Sequence, residues 1–199
     1  MKSKELIGGV LFLGTLLIYS TSYAHTTHGH VNGFIAGIGH PVLGVDHFLA
    51  MVAVGIVSAG IAGKAIWTVP LTFVLSMLVG GVIGGYFPNI PFVEFGIVAS
   101  VIALGLVIAI GKNIMQIIAM VFVGIFGLFH GYAHGTEMPA MADPLLYGAG
   151  FVTGTIGLHL LGVLIGWGAD KLPRGSEVLR ASGGIMSVVG IYFFTHLLV

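Results

Sequence analysis

Six apolar stretches, at approximately 31–60, 65–87, 92–110, 114–134, 145–168 and 179–198, account for most of this chain, and each is long enough for a helix to cross a bilayer. The breaks between them carry turn-forming or charged residues: Gly63-Lys64, Pro88-Asn89-Ile90-Pro91, Gly111-Lys112-Asn113, Asp143-Pro144, and the run from Lys171 to Arg180. With 57% hydrophobic and 7% charged residues and a mean hydropathy of +1.09, the chain departs from soluble domains, where about 25% of residues are charged. The expected fold is an all-α membrane protein: a six-helix transmembrane bundle over residues 25–199, a single domain, following an N-terminal signal peptide at 1–24.

The signal peptide is read from Lys2 and Lys4, an apolar run from Ile7 to Ile18, and the small-x-small site Ser22-Tyr23-Ala24, so that the mature chain begins at His25. An uncleaved anchor is the rival, with an apolar core short for a span of about 20 residues. Basic residues of the mature chain, Lys64, Lys112, Lys171, Arg174 and Arg180, fall in alternate gaps, while the gaps at 88–91 and 135–144 have none. The positive-inside rule then places the basic gaps in the cytoplasm and both mature termini outside, in agreement with an exported N-terminus. Zero formal net charge leaves no argument for nucleic acid. The chain has no cysteine, so imidazole, carboxylate, thioether and backbone carbonyl are the available metal ligands, a set for hard or borderline ions.

Within the first apolar stretch stand His40, Pro41, Asp46 and His47. An ionisable group at the bilayer centre costs about 2.5–3.5 kcal/mol even on a lenient insertion scale, which points to a function. In a continuous helix His40 and His47 share a side about 10 Å apart along the axis, with Asp46 at its flank. Pro41 removes a backbone donor and frees the Gly37 carbonyl, and with Gly39 and Gly44 nearby the helix is expected to kink or open locally. A buried Asp46–His47 pair that only packs helices is the plain alternative.

The fourth stretch ends Phe129-His130-Gly131-Tyr132-Ala133-His134-Gly135-Thr136-Glu137. His130, His134 and Glu137 lie at i, i+4 and i+7 and can face one borderline divalent ion if the helix continues through Gly135; interfacial histidines beside a loop are the alternative. This cluster is expected at the outer end of the path, with His40, Asp46 and His47 as the inner station. His25, His28 and His30, with the mature α-amino group, can chelate an ion at the periplasmic mouth or form a mobile polar terminus. Glu94 is either interfacial or a pathway carboxylate, and His159 sits halfway along the fifth stretch, where a lone histidine often bridges helices. Met51, Met77, Met115, Met120 and Met186 read as packing, and His196 as interfacial. Gly80/Gly84, Gly81/Gly85 and Gly162/Gly166 fit close helix packing in one compact bundle or a homo-oligomer, and six alternating spans admit a three-plus-three inverted repeat.

His40-Pro41, Asp46-His47 and Ala50-Met51, followed by Phe129-His130-Gly131, His134-Gly135 and Glu137, closely resemble the HupE/UreJ family of nickel and cobalt permeases linked to hydrogenase and urease maturation. The resemblance covers the whole chain. It implies secondary uptake of Ni²⁺ first, and Co²⁺ second, as cargo across the bacterial cytoplasmic (inner) membrane, with the mature termini periplasmic and no prosthetic group, and makes His40, Asp46, His47, His134 and Glu137 the essential residues; Phe73 and Glu94 are carried over as further pathway positions. No Walker A sequence is present, since the segment from Gly105 to Lys112 lacks its glycine spacing and is followed by Asn113. An intramembrane metal enzyme, a zinc hydrolase or di-iron oxidase, is the competing class, and a metal sensor the third, without a sizeable cytoplasmic output segment. Mass spectrometry of the purified protein should place its N-terminus at His25; an intact Met1 would establish the anchor instead.

Overall fold

The computed structural model describes residues 32–88, 90–111, 114–140 and 142–198. The expected signal peptide and His25, His28 and His30 lie outside them. The described residues form seven helices: α1 (Gly33–Leu43), α2 (Val45–Ile61), α3 (Ala65–Tyr86), α4 (Val93–Ile110), α5 (Gln116–Thr136), α6 (Pro144–Asp170) and α7 (Gly175–His196). The last five are long and apolar enough to cross a membrane, and α1 and α2 meet that test together as a pair bent by 80°. The protein is thus a multi-pass membrane protein, and its described residues hold five continuous candidate spans, or six if the bent pair counts as one.

The first stretch opens, as its glycines and proline lead one to expect, and goes beyond a kink to two helices. Pro41 stays inside α1, and the break falls at Gly44, whose backbone is extended at φ −75° and ψ 113°. The proline weakens the last turn of α1 by withholding a donor. Gly44 then closes that turn, its N–H donating to the His40 carbonyl, while its own carbonyl accepts from Phe48 N–H at 2.8 Å and opens α2. One residue therefore ends one helix and starts the next in a new direction.

Other ends follow simple chemistry. Asn32 caps α1 through Phe34 N–H, and Asp143 caps α6 by accepting from Leu145 and Leu146 N–H, both at 2.9 Å, with Pro144 in the first turn where no donor is needed. Gly111 ends α4 in the left-handed region at φ 66°, and Arg180 Nε donates to the Ala109 carbonyl at 3.0 Å, covering one of the acceptors left open there. The run from Lys171 to Arg180 is only partly a break. Helix α7 already begins at Gly175, with Glu177 and Arg180 in its first turns, because long polar side chains at a helix end can reach the interface.

α2 is the central helix: Ala50, Met51, Val52, Ala53 and Val54 are all buried, so no face of it is left for lipid along this run. α3 instead shows Trp67, Leu71, Leu75, Leu78 and Val82 outward as a lipid-facing stripe. Glycines set the helix spacing. Gly55 of α2 abuts the His159 carbonyl and Gly162 of α6, while Gly80 and Gly84 of α3 meet the Leu128 and Tyr132 carbonyls of α5. In return Gly131 and Gly135 of α5 meet the carbonyls of Met77 and Gly81. The 80/84 and 162/166 pairs thus serve contacts within the chain, whereas Gly85 faces open space.

An alanine Cβ at Gly55 would press on the His159 carbonyl and stand 2.8 Å from Gly162 Cα, whereas Gly157 has open space around it. Gly55→Ala should therefore lower stability by about 1–3 kcal/mol. Gly157→Ala should be neutral or stabilising, and thermal unfolding of the two variants in detergent micelles checks the contrast.

Candidate metal centre

The break at Gly44 leaves the N-terminus of α2 half-buried, with Asp46 in its first turn and burial beginning at His47. There the helix dipole favours a carboxylate, and Asp46 Oδ1 accepts from both the backbone N–H and Nδ1–H of His47, each at 2.8 Å. His47 thus carries its ring proton on Nδ1 and turns a bare Nε2, buried and without a hydrogen-bond partner among the described residues. Gly44 leaves room for this pair, since a Cβ there would stand 3.3 Å from both Asp46 Oδ1 and His47 Nδ1.

Helix α5 divides its motif between two faces. Gly131 and Gly135 lie against the backbone of α3, and His130 and His134, also four residues apart, turn into the bundle. Tyr132 serves the fold, its hydroxyl donating to the Phe87 carbonyl and accepting from Ile90 N–H, both at 2.7 Å, which ties down the turn after α3. Glu137 follows the last helical residue as the C-cap. Its carboxylate accepts from His40 Nε2–H at 3.0 Å, and Tyr147 Oη of α6 meets the other His40 nitrogen, Nδ1, at 3.1 Å.

His40, His134 and Glu137 each offer a ligand atom within 4.8 Å of the others. Ligands about 2.0–2.1 Å from a common ion lie at most about 4.2 Å apart, so a small contraction would close this group on a divalent cation. Two imidazoles and a carboxylate suit a borderline metal.

From this group a succession of rings runs inward. Ring centres lie 4.5 Å apart for His40–His134, 4.4 Å for His134–His47 and 4.6 Å for His47–His130. Phe73 follows at 5.5 Å from His130 and separates it from His159, 5.2 Å beyond. Exposure falls along the way, from side-chain values of 47% at Glu137 and 31% at His40 to complete burial at His130 and Phe73. Six buried nitrogens on these rings have no partner among the described residues: His47 Nε2, His130 Nδ1, and both nitrogens of His134 and of His159. A buried polar group without a partner costs about 1–3 kcal/mol, so packing alone is a poor account of four such histidines.

The expected grouping of ligands changes. Spacing along the chain puts His130, His134 and Glu137 in one outer cluster, with His40, Asp46 and His47 beneath it. Instead His40 joins His134 and Glu137, and His130 pairs with His47, because the 80° bend carries His40 and His47 to different depths while α5 passes beside both. Glu94, in the first turn of α4, makes no hydrogen bond to the ring succession among the described residues and lines a cavity of about 450 Å³ with Tyr132, Ala133 and Thr136.

Two contacts escaped the sequence reading. Tyr147 holds His40, and Phe151 packs on His134 with ring centres 3.8 Å apart. The signal was present: Tyr147, Phe151, Thr155 and His159 recur every four residues and form one buried stripe of α6. A third contact, Ser100 beside His130, belongs to no motif.

Comparison with known proteins places the chain among its relatives. The family described as HupE / UreJ protein matches residues 13–193. The chain belongs to the HupE/UreJ family. Among its relatives, Protein HupE of Rhizobium leguminosarum bv. viciae is 41% identical over 179 residues, covering 89% of this chain and 92% of that protein. No solved structure matches.

Gly44→Ala should weaken Co²⁺ binding by about tenfold, as loss of an outer-shell arrangement typically does. Gly39→Ala, whose nearest neighbour is a leucine carbon at 3.8 Å, should leave it unchanged. Titration of the purified protein followed by cobalt absorption distinguishes the two.

Proposed function

We propose that this HupE/UreJ protein is a secondary permease that takes up Ni²⁺ or Co²⁺ across the bacterial cytoplasmic membrane. The observation that carries the reading is the succession of unpartnered imidazole nitrogens leading inward from the His40–His134–Glu137 group. A resident cofactor needs one closed set of ligands. Conduction needs several incomplete ones, strong enough to admit an ion and weak enough to release it.

In this reading the bent pair α1–α2 is one broken span, and the basic residues at 64, 112, 171, 174 and 180 face the cytoplasm. The ion meets His25, His28 and His30, then exchanges water for His40, His134 and Glu137. The His40–Glu137 hydrogen bond gives way as the ion binds: the His40 ring proton moves from Nε2 to Nδ1, where Tyr147 Oη accepts it, and Nε2 and the Glu137 carboxylate are left for the ion. Asp46 keeps His47 Nε2 available by accepting the Nδ1 proton, and the ion moves past His47 and His130 toward Phe73 and His159. Glu94 supplies negative charge beside the entrance. An inside-negative potential contributes about 4.6 kcal/mol per 100 mV for a divalent ion, so transport needs no nucleotide. Association of family members with nickel and cobalt handling supports these ions as cargo.

The His₂–carboxylate set also suits a catalytic zinc, the basis for an intramembrane metal enzyme. Ligand-bearing rings that continue past that set favour passage over a fixed metal. Cells expressing the protein should accumulate Ni²⁺ from trace concentrations, and Asp46→Ala or His47→Ala should abolish the gain at unchanged membrane abundance. Equal accumulation in wild type and both variants would remove the transport assignment from this site.

A further inference from the structure

Ser100 is completely buried on α4. Its Oγ lies 2.6 Å from the Ile97 carbonyl oxygen and 2.9 Å from His130 Nε2. A serine hydroxyl has one proton and two lone pairs, and a carbonyl oxygen only accepts. The proton is therefore directed to Ile97, and a lone pair is left for His130. To bond with it, His130 must carry its own proton on Nε2. Its Nδ1 is then a bare lone pair, and this is the buried nitrogen that lacks a partner among the described residues.

The same logic governs the neighbouring ring. His47 gives its Nδ1 proton to Asp46 in a hydrogen bond and is left with a bare Nε2. Two adjacent imidazoles, their centres 4.6 Å apart, thus each have one nitrogen held from behind and the other unpartnered. A carboxylate holds the first and a neutral hydroxyl the second. The carboxylate raises the donor strength of His47, while the hydroxyl sets the tautomer of His130 with a smaller effect on basicity.

We propose that Ser100 is a positioning residue that holds His130 in its Nε2–H tautomer and so presents Nδ1 as an ion ligand deeper than the outer group. The inference rests on the transport reading of the same centre and adds a residue outside the recognised motifs. It also gives the centre a gradient: a strong donor at His47 is followed by a weaker one at His130, an order that favours onward release.

The test uses ion-free, full-length protein in lipid bilayers with ¹⁵N-labelled histidine, together with Co²⁺ affinity of the purified protein read from its absorption spectrum. Wild-type His130 should show a single tautomer protonated at Nε2. Ser100→Ala should give a mixture of tautomers and weaken Co²⁺ binding by about tenfold. Ser100→Cys, close in size but a poorer acceptor, should fall between them on both measures, which separates loss of the acceptor from loss of volume. A single Nε2–H tautomer in Ser100→Ala would overturn the proposal, as would mixed tautomers with unchanged Co²⁺ affinity, or Ser100→Cys behaving as wild type on both. Neither measurement depends on uptake. A failure of the transport reading would appear separately, as wild-type cells accumulating no more Ni²⁺ than cells without the protein.

Discussion

The extended backbone at Gly44 is the constraint on which the rest of the centre depends. A continuous helix through residues 33–61 would keep Asp46 within a closed run of backbone hydrogen bonds and hold His40 and His47 about two turns apart. Breaking it frees the first N–H groups of α2, and Asp46 uses the one at residue 47 while holding the His47 ring with the same oxygen. The 80° change of direction then brings His40 and His47 beside α5 at successive depths. Irregular backbone at membrane depth is tolerated where protein buries it or where it lines a polar cavity, and here it stands beside the Asp46–His47 pair.

Close packing by glycine supplies the second requirement. Imidazole rings whose centres are 4.4–4.6 Å apart on α1, α2 and α5 require helices that approach without intervening side chains. Gly131 and Gly135 seat α5 against α3, and Gly55 seats α2 against α6. The same glycines leave His130 and His134 facing inward, because residues four apart on a helix share a face. In this family member the histidines present the unpartnered nitrogens and the glycines between them set the geometry.

Much of the fold was legible in the sequence because lipid imposes a length rule. The stretch at 65–87 became Ala65–Tyr86 and that at 92–110 became Val93–Ile110, since an apolar run in a membrane has few alternatives to a helix. The expected opening near Pro41 and Gly44 was also found, at the glycine and not at the proline. Legibility ended where residues far apart in sequence meet. Glu137 lies 97 positions from His40, Tyr147 lies 107 positions from it, and nothing in local periodicity links them. Ser100 was invisible for a second reason: a serine in an apolar helix commonly bonds its own backbone, and Ser100 does so while also accepting from His130.

Sequence by itself determined the membrane class, the helical segments, the absence of thiol ligands, the two polar motifs and membership of the HupE/UreJ family. These are properties of composition and short-range spacing, and they do not change with the way the helices pack. Only the tertiary structure decided which histidine joins which carboxylate, which ring nitrogens are held from behind and which are bare, and that Phe73 stands between His130 and His159. Those depend on the direction taken at Gly44 and on the glycine contacts between helices, where a small displacement changes which atoms lie within hydrogen-bond reach.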